Sequence, residues 1–288
     1  MKNYLLAALL ACSVPVLGEE PQLPAGLQDS LARMEDPSIQ AVAPFRIFDN
    51  LSYVGIEWVA AYVLETSAGL IVIDSLYGKW VDHLIDGVRE LGLNPADIRY
   101  VLVTHGHFDH AGGAAILQQR YGAKVVMTAE DWKLSARPAG NPRFAFPQPV
   151  QDIVAQDGDV IELGDTRITL LKTPGHTPGV LSFRYSVIDG SDTYQAITLG
   201  GVGLNFSGVA RTEAYITSYE RLIRQQNGIT VSLPNHAFMA DVFERGLALR
   251  KRLVGDSHPF VDGDSYRESL RSFLAAAREK LIAEKASR

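Results

Sequence analysis

The chain has 288 residues, of which 47% are hydrophobic and 21% charged. That composition is typical of a globular protein, with enough length for one sizeable core or two small domains. The formal net charge is −6 and no basic tract is present, which argues against a nucleic-acid-binding function.

The first 18 residues have the pattern of a secretory signal peptide. Lys2 supplies the positive charge, Tyr4 to Leu10 form an apolar run, and Val16-Leu17-Gly18 form a cleavage region that ends in a small residue. The apolar run is too short to cross a bilayer as a stable helix, so no membrane span is expected. The pattern predicts a periplasmic or secreted protein, the alternative being a disordered or buried N-terminal helix.

Cys12 is the one cysteine of the chain. It ends the run Leu9-Leu10-Ala11-Cys12, which resembles a bacterial lipobox, so a lipid anchor at Cys12 is the alternative to cleavage after Gly18. In the cleaved form the mature protein has no thiol, and it needs neither disulfides nor thiol chemistry.

After the signal, residues 19–44 are proline-rich and weakly periodic, which predicts an extended N-terminal arm. The pattern from residue 45 onward favours one domain over 45–288, and Ser135 to Asp152 predicts a long surface loop. Two similar halves, 46–172 and 180–284, indicate an α/β protein with two packed sheets covered by helices. Strands are predicted at 51–54, 59–64, 69–74, 100–104, 124–127, 160–163, 166–172, 180–187, 195–199 and 229–233, and helices at 80–91, 112–121, 213–226 and 265–284.

Three histidines and an aspartate are crowded into His105-Gly106-His107-Phe108-Asp109-His110. The apolar strand before this segment and the helix after it predict a tight strand-to-helix turn. Imidazole and carboxylate side chains on such a turn converge on one point, and together they are a donor set that suits zinc. The segment therefore predicts a zinc site.

Two more histidines have a related placement. His176 follows a strand in Thr173-Pro-Gly-His176, and His236 follows another in Leu233-Pro-Asn-His236. Side chains at the ends of strands in one sheet edge can converge, so both are candidate ligands. His83, between Asp82 and Asp86 on a polar helix face, is predicted to be a surface residue, and His258 a turn residue rather than a ligand.

The run Thr104-His-Gly-His-Phe-Asp-His110, with Thr173-Pro-Gly-His176 and His236, resembles the metallo-β-lactamase superfamily over roughly residues 45–240. The resemblance implies an αββα sandwich, in which two mixed sheets are flanked by helices and the metal site lies at the sheet edge. It also implies two zinc ions per chain.

Carried over position by position, the resemblance assigns His105, His107 and His176 to the first zinc and Asp109, His110 and His236 to the second. This ligand set is similar to the third subclass of true metallo-β-lactamases, in which histidine replaces a cysteine ligand. Ile71-Val-Ile-Asp74 matches the strand whose terminal aspartate supports the metal-binding loop in this family. Asp74 is therefore expected behind the ligands, where it would accept an N–H from the histidine turn. The alternative is an ordinary turn aspartate at the end of a strand.

The substrate side of the resemblance is less complete. Enzymes of the glyoxalase II type bridge the metals with an aspartate at the end of a later strand, where this chain has Gly200 and Gly201. The missing aspartate argues against glyoxalase-like and lactonase-like sites. The β-lactamase subclass usually has serines near this position, and glycines cannot supply their hydroxyl groups. Trp58, Phe144 and Phe146 are candidates for an apolar wall over the metals, with simple packing as the alternative.

These observations predict an exported zinc hydrolase, β-lactamase-like, that opens a cyclic amide of a small-molecule substrate with a zinc-bound hydroxide oriented by Asp109. Such an enzyme would confer antibiotic resistance. Hydrolysis of another ester, lactone or thioester is the alternative, and a non-catalytic zinc-binding protein is the non-enzyme alternative. No serine-hydrolase elbow, dinucleotide fingerprint or phosphate loop is present in the sequence. The sequence leaves the substrate and the oligomeric state open.

Overall fold

The computed structural model describes residues 25–138 and 144–287. The predicted signal peptide, its cleavage site and Cys12 lie outside the described residues. None of the helices that the structure describes combines the length and the apolar character needed to cross a membrane.

The first sheet has seven strands in sequence order. Its first four strands form an antiparallel meander, and the fourth to the seventh run parallel. The strands are β1 Phe45–Phe48, β2 Leu51–Tyr53, β3 Tyr62–Thr66, β4 Gly69–Ile73, β5 Ile98–Leu102, β6 Lys124–Thr128 and β7 Ile153–Ala155.

The second sheet has five strands in the order β12-β11-β10-β9-β8. Only β11 and β12 pair in parallel among these strands. The strands are β8 Val160–Leu163, β9 Thr166–Lys172, β10 Leu181–Asp189, β11 Asp192–Thr198 and β12 Ile229–Ser232.

Helices cover both outer faces. The described helices are α1 Ala25–Glu35, α2 Pro37–Gln40, α3 Trp80–Glu90, α4 Phe108–Ala111, α5 Ala114–Tyr121, α6 Ala129–Ser135, α7 Val209–Arg224, α8 Val242–Arg250 and α9 Gly263–Ala286. Single turns of 3₁₀ helix lie at Pro95–Asp97 and Ala237–Met239.

Alternation along β4 explains the four layers. Ile71 and Ile73 enter a core shared with Leu170 and Phe183 of the second sheet. Val72, which points to the opposite face, packs in a separate core with the helices α3 and α5. A third apolar cluster joins the second sheet to α7 and α9. Since side chains alternate between the faces of a strand, β4 can be buried on both faces, and the predicted αββα sandwich is confirmed.

Several element predictions were wrong. The arm 19–44 is not extended over its described part, where α1 and α2 form. The two halves do not divide near residue 175, because β8 and β9 belong to the second sheet. β1, β7, α6 and α8 were not predicted. α8 was missed because its sequence is not clearly amphipathic: the apolar Leu247 lies on the exposed face and Gly246 on the buried one.

Candidate metal centre

The candidate ligands lie on three segments that follow strands of both sheets. His105 and His107 come after β5, His176 after β9, and His236 after β12. The histidine segment is only partly a turn. The carbonyl of His107 accepts the amides of His110 and Ala111 at 3.1 and 2.8 Å, so α4 begins at Phe108. Asp109 and His110 therefore lie on a short helix, whereas the sequence predicted a turn there.

The structure brings His105, His107 and His176 into one group. One nitrogen from each ring lies within 4.8 Å of the others. Nδ1 of His107 and Nε2 of His176 are 3.1 Å apart, and all three ring-centroid separations are below 5 Å. These rings come from segments 69 residues apart in the chain, so it is the fold that assembles the group.

Asp109, His110 and His236 lie beside the three-histidine group. Nε2 of His110 is 3.1 Å, and Nε2 of His236 3.9 Å, from Oδ2 of Asp109. The rings of His110 and His236 are 5.0 Å apart. His105 also lies within 4.8 Å of Asp109 and His110, so the two groups are contiguous.

Backbone carbonyls orient two of these rings. Nδ1 of His176 is 2.9 Å from the carbonyl of Gly203, and Nδ1 of His236 is 2.8 Å from the carbonyl of Trp58. Because a carbonyl only accepts, each Nδ1 carries the proton and each Nε2 offers its lone pair to the centre. The amide of Trp58 in turn donates to the buried side chain of Gln40. This bond connects the short N-terminal helix α2 to the segment that orients His236.

His105 is oriented by a hydroxyl group. Oγ1 of Thr104 lies 2.8 Å from Asp74, to which it donates its proton, and 3.2 Å from Nδ1 of His105. The hydroxyl oxygen therefore accepts from Nδ1, and Nε2 of His105 keeps its lone pair. Three imidazoles of the centre thus present unprotonated nitrogens, the form that binds a metal ion.

Burial favours the neutral form of four rings. Loss of hydration lowers the pKa of His105, His107 and His176, and lowers that of His236 to about 4. The neighbouring histidines add to this effect. At neutral pH these rings are uncharged and ready to coordinate.

His110 is the exception. Although burial opposes its charge, the carboxylates of Asp109 and Asp74 raise its pKa. Burial alone would raise the pKa of Asp109, but the adjacent His110 lowers it overall. A divalent cation would take over the role of the proton held between Asp109 and His110. Nitrogen and carboxylate donors of this kind suit zinc, and the residues fit a metal ion.

Asp74 lies directly behind the ligands. It is 1% exposed, and it accepts from the amide of Thr104 at 2.7 Å and from Nδ1 of His110 at 2.7 Å. Its φ of +59° is in the left-handed region, which aspartate tolerates better than most residues. The side chain thus joins the end of β4 to both ends of the histidine segment.

Aromatic residues lie beside the group formed by Asp109, His110 and His236. The Trp58 ring is 5.5 Å from that of His236 and 6.3 Å from that of Phe108, on which Phe144 stacks at 4.4 Å. Phe146 packs against the apolar cluster beneath α3. The sequence did not single out Tyr77, which packs edge-on against Trp58 and Phe108, or Phe238, whose ring lies 5.7 Å from that of His236.

Three polar residues of the centre were missed. Asn235 directs Nδ2 toward Thr104 and Nε2 of His110, at 3.2 and 3.3 Å. Asp131 is a buried carboxylate on α6, and burial raises its pKa to about 6. Arg211 donates to the carbonyls of Gly175 and His176. Adjacency to His236 could have indicated Asn235, but no local pattern distinguishes the other two.

The glycines after β11 have no room for side chains. A Cβ at position 200 would lie 2.1 Å from the carbonyl oxygen of Leu181, and one at 201 would lie 2.7 Å from Val180. Gly201 also has a φ of +56°. Neither position can hold a bridging carboxylate in this backbone.

Two histidines lie apart from the centre. His83 is half-buried and contacts the carbonyl of Val42 at 3.1 Å, so the surface prediction was wrong. His258 is buried, stacks on Phe48 at 4.1 Å and contacts the carbonyl of Ile47 at 2.9 Å. Neither belongs to a metal-binding group among the described residues.

Comparison with known proteins agrees with this geometry. Residues 58–187 match the model of the metallo-β-lactamase superfamily. The hydroxyacylglutathione hydrolase of Haemophilus influenzae is 30% identical over 152 residues, which are 51% of this chain and 67% of that protein. Another hydroxyacylglutathione hydrolase, from a Bradyrhizobium strain, is 33% identical, but the chain spans only 41% of its length.

Solved structures match over more of the chain. The metallo-β-lactamase FEZ-1 of Legionella gormanii has a TM-score of 0.78 and 29% identity, covering 85% of this chain and 97% of that one. BJP-1, a subclass B3 metallo-β-lactamase of Bradyrhizobium japonicum, has a TM-score of 0.76 and 27% identity, covering 86% and 97%. The chain belongs to the metallo-β-lactamase superfamily. It has the fold of a hydrolase of that superfamily and a centre able to hold a metal ion.

Proposed function

We propose that this protein is an exported, zinc-dependent hydrolase that opens the cyclic amide of β-lactams. One observation carries the proposal: the centre contains His105, His107 and His176 beside Asp109, His110 and His236, and within residues 25–138 and 144–287 neither a thiol nor a bridging carboxylate joins them. This is the donor set expected for two zinc ions in a β-lactamase of the third subclass.

Two bound zinc ions would lower the pKa of a water molecule to about 7 and polarise the substrate carbonyl. The protein side chains position the reactants. Asp109 directs Oδ2 toward His110 and His236, and its other oxygen would orient the attacking water. Asp74 and the carbonyls of Trp58 and Gly203 hold the rings in fixed tautomers. Fixed ligands reduce the reorganisation needed during the reaction.

The aromatic wall would bind the apolar part of the substrate. Trp58, Phe108 and Phe144 contact one another beside His236 and are all partly exposed. Partly exposed rings next to a polar centre are typical of ligand sites, in which apolar surface gives affinity and a few polar groups give orientation. Phe146, which is partly exposed and packs against the same apolar cluster as Trp58 and Phe108, would extend this wall.

Hydrolysis of a thioester is the second candidate. It is favoured by the similarity to hydroxyacylglutathione hydrolases, at 30% and 33% identity. The crowding at Gly200 and Gly201 speaks against it, because the bridging aspartate expected of glyoxalase II-type enzymes has no place there. The similarity to β-lactamases also extends over more of the chain.

A side-by-side assay separates the candidates. Zinc-loaded protein is tested with a carbapenem, a cephalosporin, an acyl-homoserine lactone and a glutathione thioester, each with and without chelator. The proposal expects chelator-sensitive turnover of at least one β-lactam, faster than that of the lactone and the thioester. Fast cleavage of lactone or thioester with no β-lactam turnover would contradict the β-lactamase assignment and leave the metal centre intact.

Export is part of the same proposal, since it would place the enzyme where β-lactams act and would allow it to confer antibiotic resistance. A fusion of residues 1–22 to a reporter that works only in the periplasm should be active, and the mature protein should begin at Glu19. A lipid found on Cys12 by mass spectrometry would replace free secretion with membrane anchoring.

A further inference from the structure

The helix α6 lies between the two segments that carry the three-histidine group. A Cβ on Gly106 would lie 2.6 Å from the carbonyl oxygen of Asp131, and one on Gly179 would lie 2.0 Å from Oγ1 of Thr128. Both segments therefore approach the first turn of α6 so closely that only glycine fits at the two contacts. The helix fixes how far apart they can be.

Asp131 binds both segments through a single oxygen atom. Oδ2 accepts from the amide of Gly106 at 3.1 Å and from the hydroxyl of Thr177 at 2.7 Å. Gly106 lies between the ligands His105 and His107, and Thr177 directly follows the ligand His176. The residues so joined are 25 and 46 positions away from Asp131 in the chain.

The local chemistry makes these two bonds important. Asp131 is 1% exposed, so its carboxylate has little access to water, and the donors of Gly106 and Thr177 contribute to its stabilisation. Hydrogen bonds to a charged acceptor are stronger than neutral ones. The side chain of Thr128 caps α6 and donates to the carbonyl of Gly179 at 2.8 Å, which adds a second link to the same segment.

We propose that Asp131 is a positioning residue that sets the separation of the two segments carrying His105, His107 and His176, and thereby the affinity of the three-histidine metal site. The inference rests on the proposed function, since it concerns the zinc ion of that site. Asp131 is not one of the candidate ligands and reaches them through the amide of Gly106 and the hydroxyl of Thr177.

The test compares variants by zinc affinity and by zinc-free stability. Asp131→Ala removes both bonds, Thr177→Val removes one, and Thr177→Ser keeps the hydroxyl. Glu130→Ala is the matched control, because Glu130 is exposed and links α6 to Lys172 only at the surface. Zinc dissociation constants are measured by competition with a chromophoric chelator, and unfolding by urea. ¹¹³Cd NMR of the cadmium-substituted proteins then shows which of the two metal sites has lost affinity. An all-nitrogen site and a mixed nitrogen–oxygen site give separate resonances.

Asp131→Ala should weaken the three-histidine site by about 10- to 100-fold, the usual effect of losing a group that orients metal ligands. Thr177→Val should weaken it by roughly fivefold, the loss of one hydrogen bond, while Thr177→Ser and Glu130→Ala bind zinc like the wild type. If Asp131→Ala fails to fold, the comparison of Thr177→Val with Thr177→Ser tests the inference instead. Reduced stability with unchanged zinc affinity in Asp131→Ala or Thr177→Val would overturn the inference. Failure of the wild type to bind zinc would instead overturn the proposed function.

Discussion

Nδ1 of His110 lies 2.7 Å from Oδ2 of Asp74, and both side chains are at most 1% exposed. The same carboxylate accepts from the amide and the hydroxyl of Thr104. One side chain at the end of β4 thus holds both the beginning of the histidine segment and the last ligand on it.

Replacing Asp74 by alanine should therefore impair folding and metal binding together. The change leaves the His110 and Thr104 donors buried without their acceptor, and we expect a loss of about 3–5 kcal/mol in the free energy of unfolding. Zinc affinity should fall by about 10- to 100-fold. Urea unfolding and chelator competition measure the two effects. Asp165→Ala, which changes an exposed turn carboxylate, is the control, and equal behaviour of the two variants would contradict the prediction.

Phe144 stacks on Phe108, the residue before Asp109, with 4.4 Å between the ring centroids. Phe144→Ala should raise KM by about 2- to 12-fold and leave kcat nearly unchanged, because an aromatic contact of about 0.5–1.5 kcal/mol is lost without disturbing the ligands. Steady-state kinetics on the preferred substrate test this. Phe273→Ala removes a partly buried ring from α9 and should leave KM unchanged; an unaltered KM in Phe144→Ala would assign Phe144 to packing alone.

The crowding after β11 predicts that two serine substitutions differ in their effect on stability. Gly200→Ser places a Cβ against the carbonyl of Leu181 and should cost about 1–3 kcal/mol of stability or more. In Gly203→Ser the atoms nearest the new Cβ belong to side chains, Asn205 at 2.7 Å and the His176 ring at 3.9 Å, rather than to backbone, so the variant should fold with a nearly unchanged Tm. Thermal unfolding of both variants is the measurement. A stable, fully active Gly200→Ser protein would contradict the packing described here.

His258 predicts a pH dependence of stability. Its Nδ1 accepts from the amide of Phe260 at 3.2 Å and its Nε2 donates to the carbonyl of Ile47, so the ring is held neutral. Burial lowers its pKa below the ordinary value of 6.5. As the pH falls below 6.5, the unfolded chain binds a proton that the folded protein refuses, so the free energy of unfolding decreases.

His258→Gln should reduce this loss of stability between pH 6.5 and 5, even if it lowers stability at pH 7. Urea unfolding of the two proteins across that range isolates the contribution, because the other titrating groups are common to both and distant sites are nearly additive. Parallel curves for the wild type and the variant would show that His258 does not contribute.

The sequence predicted the layers and the ligand-bearing segments because both depend on local patterns. The continuous apolar run of β4 and the spacing of the histidines can be recognised without a structure. The helix α6 has seven residues and the strand β7 has three, too few for the repeated apolar pattern by which a helix or strand is recognised in a sequence. Asp131 and Arg211 act on segments far away in the chain, so nothing near them in the sequence identifies their role. The lack of room at Gly200 is likewise a property of packing between strands.

Metal-dependent hydrolysis at the two contiguous groups of ligands is the central property proposed for this protein. The most direct test is to remove metal with a chelator, add zinc back in steps, and follow hydrolysis of a carbapenem together with bound zinc. Activity should be absent without metal, return with zinc, and saturate at two zinc ions per chain, with none in His105→Ala or Asp109→Ala. Full turnover by the metal-free protein, or uptake of zinc without hydrolysis of any substrate tested, would contradict it.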